Sequence, residues 1–237
     1  MDNDPERAPI QKLLLVVNDA RRYILGLLLA ILVTTFLFYL WAPVILIFFQ
    51  NHLDQQLTFF TVAEPFLARV KLALISAVFT LMPIIACFFW IGLAKPFKLT
   101  RTAGFWFIIV TCLLFYAGTW FCYSVTLPFG VKFLLEFQSA ELTPMISVGK
   151  FVNFVAMFIL AFGLVFELPI FMVFTARAGL IPRRAFEKNR RYAVLTISIV
   201  AALLTPTPDV VNMMLMAAPL YLLYELGILV LKLLKYS

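Results

Sequence analysis

Long apolar runs separated by short charged intervals fill almost the whole chain. Their spacing predicts six membrane-crossing helices, at about residues 23–42, 70–94, 103–127, 151–176, 192–204 and 210–231. Roughly 20 apolar residues cross a bilayer, and all but the fifth run meet that length. Helices are the expected solution because lipid offers no partner to an open backbone. The alternating pattern of a membrane β-barrel is absent from the sequence. The fifth run has only 13 residues before Thr205-Pro206-Thr207-Pro208-Asp209. As a helix it covers about 20 Å of a hydrocarbon core about 30 Å thick, so it must thin the bilayer, snorkel its ends or bind a partner.

Prolines punctuate these runs. Pro206 and Pro208 cannot continue a helix interior, which predicts a tight hairpin between the fifth and sixth helices. Asp209 then opens the sixth as a cap or first-turn acid. Pro65 suits the first turn of the second helix. Pro128 marks the exit of the third. Residues 43–69 form the longest loop, and Pro83 and Pro169 kink the helices that contain them. The expected fold is an all-α integral membrane protein, one domain over residues 1–237, with both termini cytoplasmic. Its fifth and sixth helices are short and its kinked bundle is concave.

Composition narrows the class. The 237 residues are 64% hydrophobic and 13% charged, against about 25% charged in soluble domains. A soluble globular domain is excluded. The net charge of +7 reports orientation, not nucleic-acid binding, because basic residues collect in cytoplasmic loops. With the N-terminus inside, fifteen of the 19 Lys and Arg residues fall on the cytoplasmic side. Only Arg69, Lys71, Lys132 and Lys150 lie outside. The charged N-terminal segment and the length of the first apolar run argue for an anchor that is kept, not a cleaved signal peptide.

Candidate chemistry is sparse. Cys87, Cys112 and Cys122 sit in apolar runs with no CxxC spacing, and read as small buried hydrophobes. His52 is the only histidine. No nucleophile–base pair, phosphate-cradling glycine loop or HExxH is present, so no catalytic site, cofactor or metal is expected. Glu167 stands out. It is the single charge in the 26 residues from Phe151 to Ala176, where a carboxylate costs on the order of 2.5–3.5 kcal/mol to insert and faces protein or water. Either it binds a polar group in a wet pocket or it makes a packing hydrogen bond within the bundle. Glu225 lies near the cytoplasmic end of the last helix, with a functional or an interfacial role. Asp19 is the only acid beside the basic edge formed by Arg21 and Arg22. It either accepts a basic ligand group or pairs locally with Arg22.

The ordered motifs resemble the TatC family, receptors of twin-arginine protein translocases. They are Pro65-Phe66 with Lys71, Phe115-Tyr116-Ala117-Gly118 with Tyr123 and Pro128, Phe162-Gly163 through Phe166-Glu167-Leu168-Pro169, Arg190-Arg191-Tyr192, and Leu204-Thr205-Pro206-Thr207-Pro208-Asp209. The resemblance implies a non-enzymatic receptor in the bacterial inner (plasma) membrane. Such a receptor binds twin-arginine signal peptides of folded proteins. It recruits single-span TatA and TatB proteins into a multimeric complex driven by the proton-motive force. Residue by residue, it implies signal-peptide binding at Asp19 and Arg21, an intramembrane polar site at Glu167, and partner-helix contact at Thr205, Asn212 and Met213. Structural turns fall at Pro65, Pro128, Pro206 and Asp209. Two departures from the family pattern stand out. Lys95–Arg101 holds no acid, the aligned place falling near Leu99 or Thr100, and this leaves Glu187 as the acid of the other cytoplasmic loop. The hairpin turn also carries one extra residue, Thr207. The alternative reading is a proton-coupled secondary transporter that uses Glu167. It predicts inverted repeats and paired broken helices.

Overall fold

The computed structural model describes residues 7–53, 57–94, 96–97, 99–136, 146–204 and 210–234. Side chains at 7–23, 53, 132–136, 203–204, 211–212 and 215 lie outside the described set. Helix dominates. α1 spans Arg7–Leu53, α2 Glu64–Ala94 and α3 Arg101–Phe121, followed by a π-helical turn at Cys122–Thr126 and α4 at Leu127–Glu136. Then come α5 (Val148–Val165), α6 (Leu168–Arg177), α7 (Arg183–Lys188), α8 (Arg190–Leu204) and α9 (Val210–Leu233). Two-residue strands, β1 (Leu57–Thr58) and β2 (Ile146–Ser147), pair in parallel, Leu57 opposite Ile146.

Among the described residues, five helical stretches are long and apolar enough to cross a membrane: Ile24–His52, Glu64–Ala94, Arg101–Val131, Val148–Arg177 and Met216–Leu233. α8 has 15 residues, about 22 Å at 1.5 Å per residue. It falls short of a full crossing, as its composition predicts.

Two boundaries differ from the sequence expectation, and each difference has a proline at its centre. The first span does not end at 42. α1 continues through Pro43 to Leu53, so the loop before α2 is far shorter than residues 43–69. A membrane helix tolerates the one missing N–H because its other backbone bonds stay internal. Pro128 is not an exit either. The chain stays helical past it to Glu136. The π turn just before it widens the spiral, with the Leu127 N–H donating to the Cys122 carbonyl oxygen five residues back. A wider turn relieves the clash of a proline ring with the preceding turn. The fourth span does break, as Pro169 predicts. α5 stops at Val165 and α6 starts at Leu168. Pro65 sits in the first turn of α2 as expected.

The helices meet at small residues. A Cβ on Gly118 of α3 would lie 2.7 Å from the Phe162 carbonyl oxygen of α5, and one on Gly163 would lie 2.6 Å from the Phe115 ring. Without lipid-driven association, such close backbone approach is what holds membrane helices together. Two apolar cores result. The larger joins Leu72, Cys122, Phe151, Phe162, Met172, Leu220 and Ile228. The smaller gathers Ala86, Trp90, Ala103, Phe107, Ile170 and Phe174. Leu29, Leu32, Phe36, Leu40 and Trp41 on α1 are all more than three-fifths exposed, as lipid-facing side chains are.

Candidate functional site

Glu167 lies at the break between α5 and α6. Pro169 has no N–H to give, so the chain turns: the Glu167 N–H bonds the Leu164 carbonyl oxygen at 3.1 Å, three residues back. The Glu167 carbonyl oxygen then accepts from Phe171 at 3.1 Å, which starts α6. Gly179, at φ 71°, ends it in the left-handed conformation that glycine adopts freely.

The side chain turns inward. Glu167 is 2% exposed, so its carboxyl is buried inside the bundle. Between α3 and α2 the Thr111 oxygen accepts the Trp90 indole N–H at 2.8 Å. Oε1 of Glu167 has no partner among the described residues. A cavity of about 530 Å³ does open between α1, α2, α3 and α5, lined by Phe48, Phe79, Tyr116, Trp120, Tyr123 and neighbours. Glu167 is not in its lining, and the Tyr116 hydroxyl there is tied to the Phe79 carbonyl at 3.1 Å.

The other predicted residues scatter. Asp19 and Arg21 lie in α1 with their side chains outside the described residues, as is that of Asn212 in α9. Thr205, Pro206 and Asp209 lie outside the described residues altogether. Met213 is half-buried against the larger core. Glu225 makes an ion pair with Arg190 at 3.0 Å and accepts from the Tyr221 hydroxyl at 3.0 Å, tying α9 to α8. Glu187 is 3.3 Å from the Arg183 Nε within α7. Leu99, where the family pattern places an acid, packs half-buried on the smaller core. His52 stacks on Tyr123 with ring centroids 3.9 Å apart, a packing role. Among the described residues, no three His, Cys, Asp or Glu side chains cluster as a metal site.

One acid escaped the sequence reading. Glu64 at the start of α2 accepts the Phe60 N–H at 2.8 Å, the Gly149 N–H at 3.0 Å and the Ser147 hydroxyl. It clasps the start of α2 to the start of α5 beside the β1–β2 pair. An acid in a first helical turn is a common signal, but nothing local points to partners more than 80 residues away.

Fold and site together define a multi-span helical membrane protein with one carboxyl sealed at a helix break. A family model described as Sec-independent protein translocase protein (TatC) matches residues 16–219. The chain belongs to the TatC family. It is 39% identical over 184 residues to the Sec-independent protein translocase protein TatC of Carboxydothermus hydrogenoformans, covering 77% of this chain and 76% of that one. It is 35% identical over 196 residues to that of Helicobacter pylori strain 26695, covering 82% and 77%. Among solved structures it is similar to a crystal structure of the twin-arginine translocase receptor TatC in DDM. That match has a TM-score of 0.81 and 26% identity, over 91% of this chain and 98% of that one.

Proposed function

We propose that this chain is the receptor subunit of a twin-arginine translocase in a bacterial plasma membrane, with both termini in the cytoplasm. It binds the twin-arginine signal peptides of folded precursors, works with single-span TatA and TatB proteins and catalyses no reaction of its own. The observation that carries the reading is agreement of sequence and fold over nearly the whole chain. The family match spans residues 16–219, and the fold similarity covers 91% of the chain. Basic residues crowd the cytoplasmic loops of this orientation, which supports it.

Recognition of paired arginines calls for carboxylates at the cytoplasmic face. Asp19 takes that part, with Arg21 beside it. Leu99 supplies no second carboxylate, and Glu187 is already engaged by Arg183. Thr205, Asn212 and Met213 form the contact for a partner helix along α8 and α9, where the short α8 leaves a span incomplete. Glu167 is the polar group within the membrane.

A crosslinking scan tests the reading. A photo-reactive residue is placed in turn at positions 19, 99 and 167, in membranes supplied with a twin-arginine precursor or its Lys-Lys variant. Crosslinks at 19 and 99 that disappear with Lys-Lys are expected. Crosslinks indifferent to the arginine pair would move recognition elsewhere. Their absence at all three positions in export-competent protein would overturn the receptor assignment.

A further inference from the structure

The cavity between α1, α2, α3 and α5 has a defined height and an open side. It runs from Leu72 to Thr80 along α2 and from Phe38 to Phe49 along α1, about 12 Å and about 16 Å at 1.5 Å per residue. One leaflet of a hydrocarbon core about 30 Å thick measures about 15 Å, so the slot has the height of one leaflet. In the orientation proposed above it is the outer one, because the lining begins near the outer start of α2 and the outer end of α1. Phe48 of α1 and Trp120 of α3, both in the lining, are more than half exposed, which turns the open side toward lipid. The Tyr116 hydroxyl donates to the Phe79 carbonyl oxygen at 3.1 Å and the Thr119 hydroxyl to the Tyr116 carbonyl oxygen at 3.0 Å, leaving a wall that is nearly all hydrocarbon. A volume of about 530 Å³ spread over the height of a leaflet gives a cross section of about 35 Å². A helix about 10 Å across needs about twice that. A membrane-crossing peptide helix does not fit the slot, whereas a single hydrocarbon chain does.

Positive charge gathers at the outer end of the slot. Lys71 lies one turn from Ile75 on α2, and Asn153 one turn from Ala156 on α5; Ile75 and Ala156 both line the slot. The Lys71 ammonium donates to Asn153 Oδ1 at 3.4 Å, which engages one of its three protons. Arg69 stands two residues before Lys71, and Lys150 one turn before Asn153, and all three cations are exposed. They are three of the four basic residues that the charge pattern leaves outside. Glu64, the acid at the same end, is engaged by Phe60, Gly149 and Ser147.

We propose that the slot binds an anionic phospholipid of the outer leaflet, with one acyl chain lying between α1 and α3 and the headgroup phosphate on Lys71, between Arg69 and Lys150. An acyl chain gains little by exchanging lipid for an equally apolar wall. Selectivity therefore comes from the charged rim, which favours a phospholipid with net negative charge over a zwitterionic one. The site is independent of the receptor reading, which uses the cytoplasmic face. Only the choice of leaflet rests on the proposed orientation.

Photolabelling tests it. The full chain is reconstituted in phosphatidylcholine vesicles doped with phosphatidylglycerol or phosphatidylcholine that carries a diazirine in its acyl chain. Labelled peptides are identified by mass spectrometry, with the lipid-facing residues Leu29, Leu32 and Phe36 of α1 as an internal reference. Residues 72–80 and 155–159 are expected to label at least about fivefold more from the phosphatidylglycerol probe. Lys71→Gln is expected to lower that ratio about fivefold, the effect of one cation at an anionic headgroup. Lys71→Arg is expected to keep it. Ser76→Phe, which fills the slot, is expected to remove slot labelling by both probes while the α1 reference stays. Equal slot labelling by the two probes would overturn the anionic site, and so would a ratio unchanged in Lys71→Gln. Slot residues left unlabelled by either probe, beside a labelled α1 reference, would overturn lipid occupancy. Slot labelling by a diazirine-bearing twin-arginine signal peptide in place of the lipid would also overturn it and give the slot to the peptide.

Discussion

Two helices in this protein begin alike, with a glutamate followed closely by a proline, and the two glutamates end in opposite situations. Glu64, before Pro65, accepts from two backbone N–H groups and a hydroxyl. Glu167, before Leu168-Pro169, has a buried Oε1 with no partner among the described residues. Glu64 is half-exposed at the edge of the bundle, whereas Glu167 is 2% exposed inside it. The acid that water could reach is fully satisfied, and the acid that water cannot reach is not. Buried polar groups are nearly always paired. The first arrangement is that of a fastener, and the second lacks the bonds that would make it one.

The comparison can be broken at either end. The largest effect is expected from Gly118→Ala, whose new Cβ meets a backbone oxygen at 2.7 Å and the Phe166 side chain at 2.7 Å. Neither the Phe162 carbonyl nor the packed ring next to Glu167 can give way, so a loss of about 3 kcal/mol is expected, at the upper end of overpacking costs. Thermal unfolding in detergent measures it. At the other end, Gly149→Ala places a Cβ 2.9 Å from the Glu64 side chain, which can shift only at the cost of its own hydrogen bonds. Its shift in unfolding temperature should be less than half that of Gly118→Ala, and an equal shift would mean that Glu64 is as rigid as the α3–α5 crossing.

Next in size is the functional contrast. Glu167→Ala should reduce export of a twin-arginine precursor about tenfold at matched protein amounts. Glu64→Ala should lower the unfolding temperature while leaving export per folded molecule intact. Equal export defects in both variants, with stability unchanged, would erase the distinction between fastener and working group. The smallest effect belongs to Arg190→Ala. Its ion pair with Glu225 joins side chains that are 50% and 31% exposed, and exposed pairs contribute about 0.5 kcal/mol. The Tyr221 hydroxyl still holds Glu225 after the change. A stability loss several times larger in the same unfolding assay would place that acid with Glu64 as a fastener.

The parts of this fold legible in the sequence are those that depend on local pattern. Unbroken apolar runs gave the spans, the short run before Thr205 gave the truncated α8, and the isolated charge of Glu167 pointed to an acid that the structure buries. Boundaries at Pro43 and Pro128 were misplaced because proline was read as a stop. In each case neighbouring backbone bonds, or a widened turn, kept the helix intact. Polar partners distant in the chain were not legible at all. Thr111 and Trp90 lie 21 residues apart on different helices, and Glu64 reaches 83 residues ahead to Ser147. Those pairings exist only once the helices have crossed at Gly118 and Gly163.

The π turn at Cys122–Thr126 turns the rest of its helix about the helix axis. A helix advances about 100° per residue, so one residue added to a single turn rotates everything after it by about that much. Upstream, Phe107, Thr111 and Phe115 point into the bundle at intervals of four, a spacing that drifts around the helix as it lengthens. Downstream, Leu127 and Val131 are again 0% and 7% exposed. The wide turn works as a phase correction: it resets the buried stripe midway, so that one long rod keeps the same side toward its neighbours on both halves of its length.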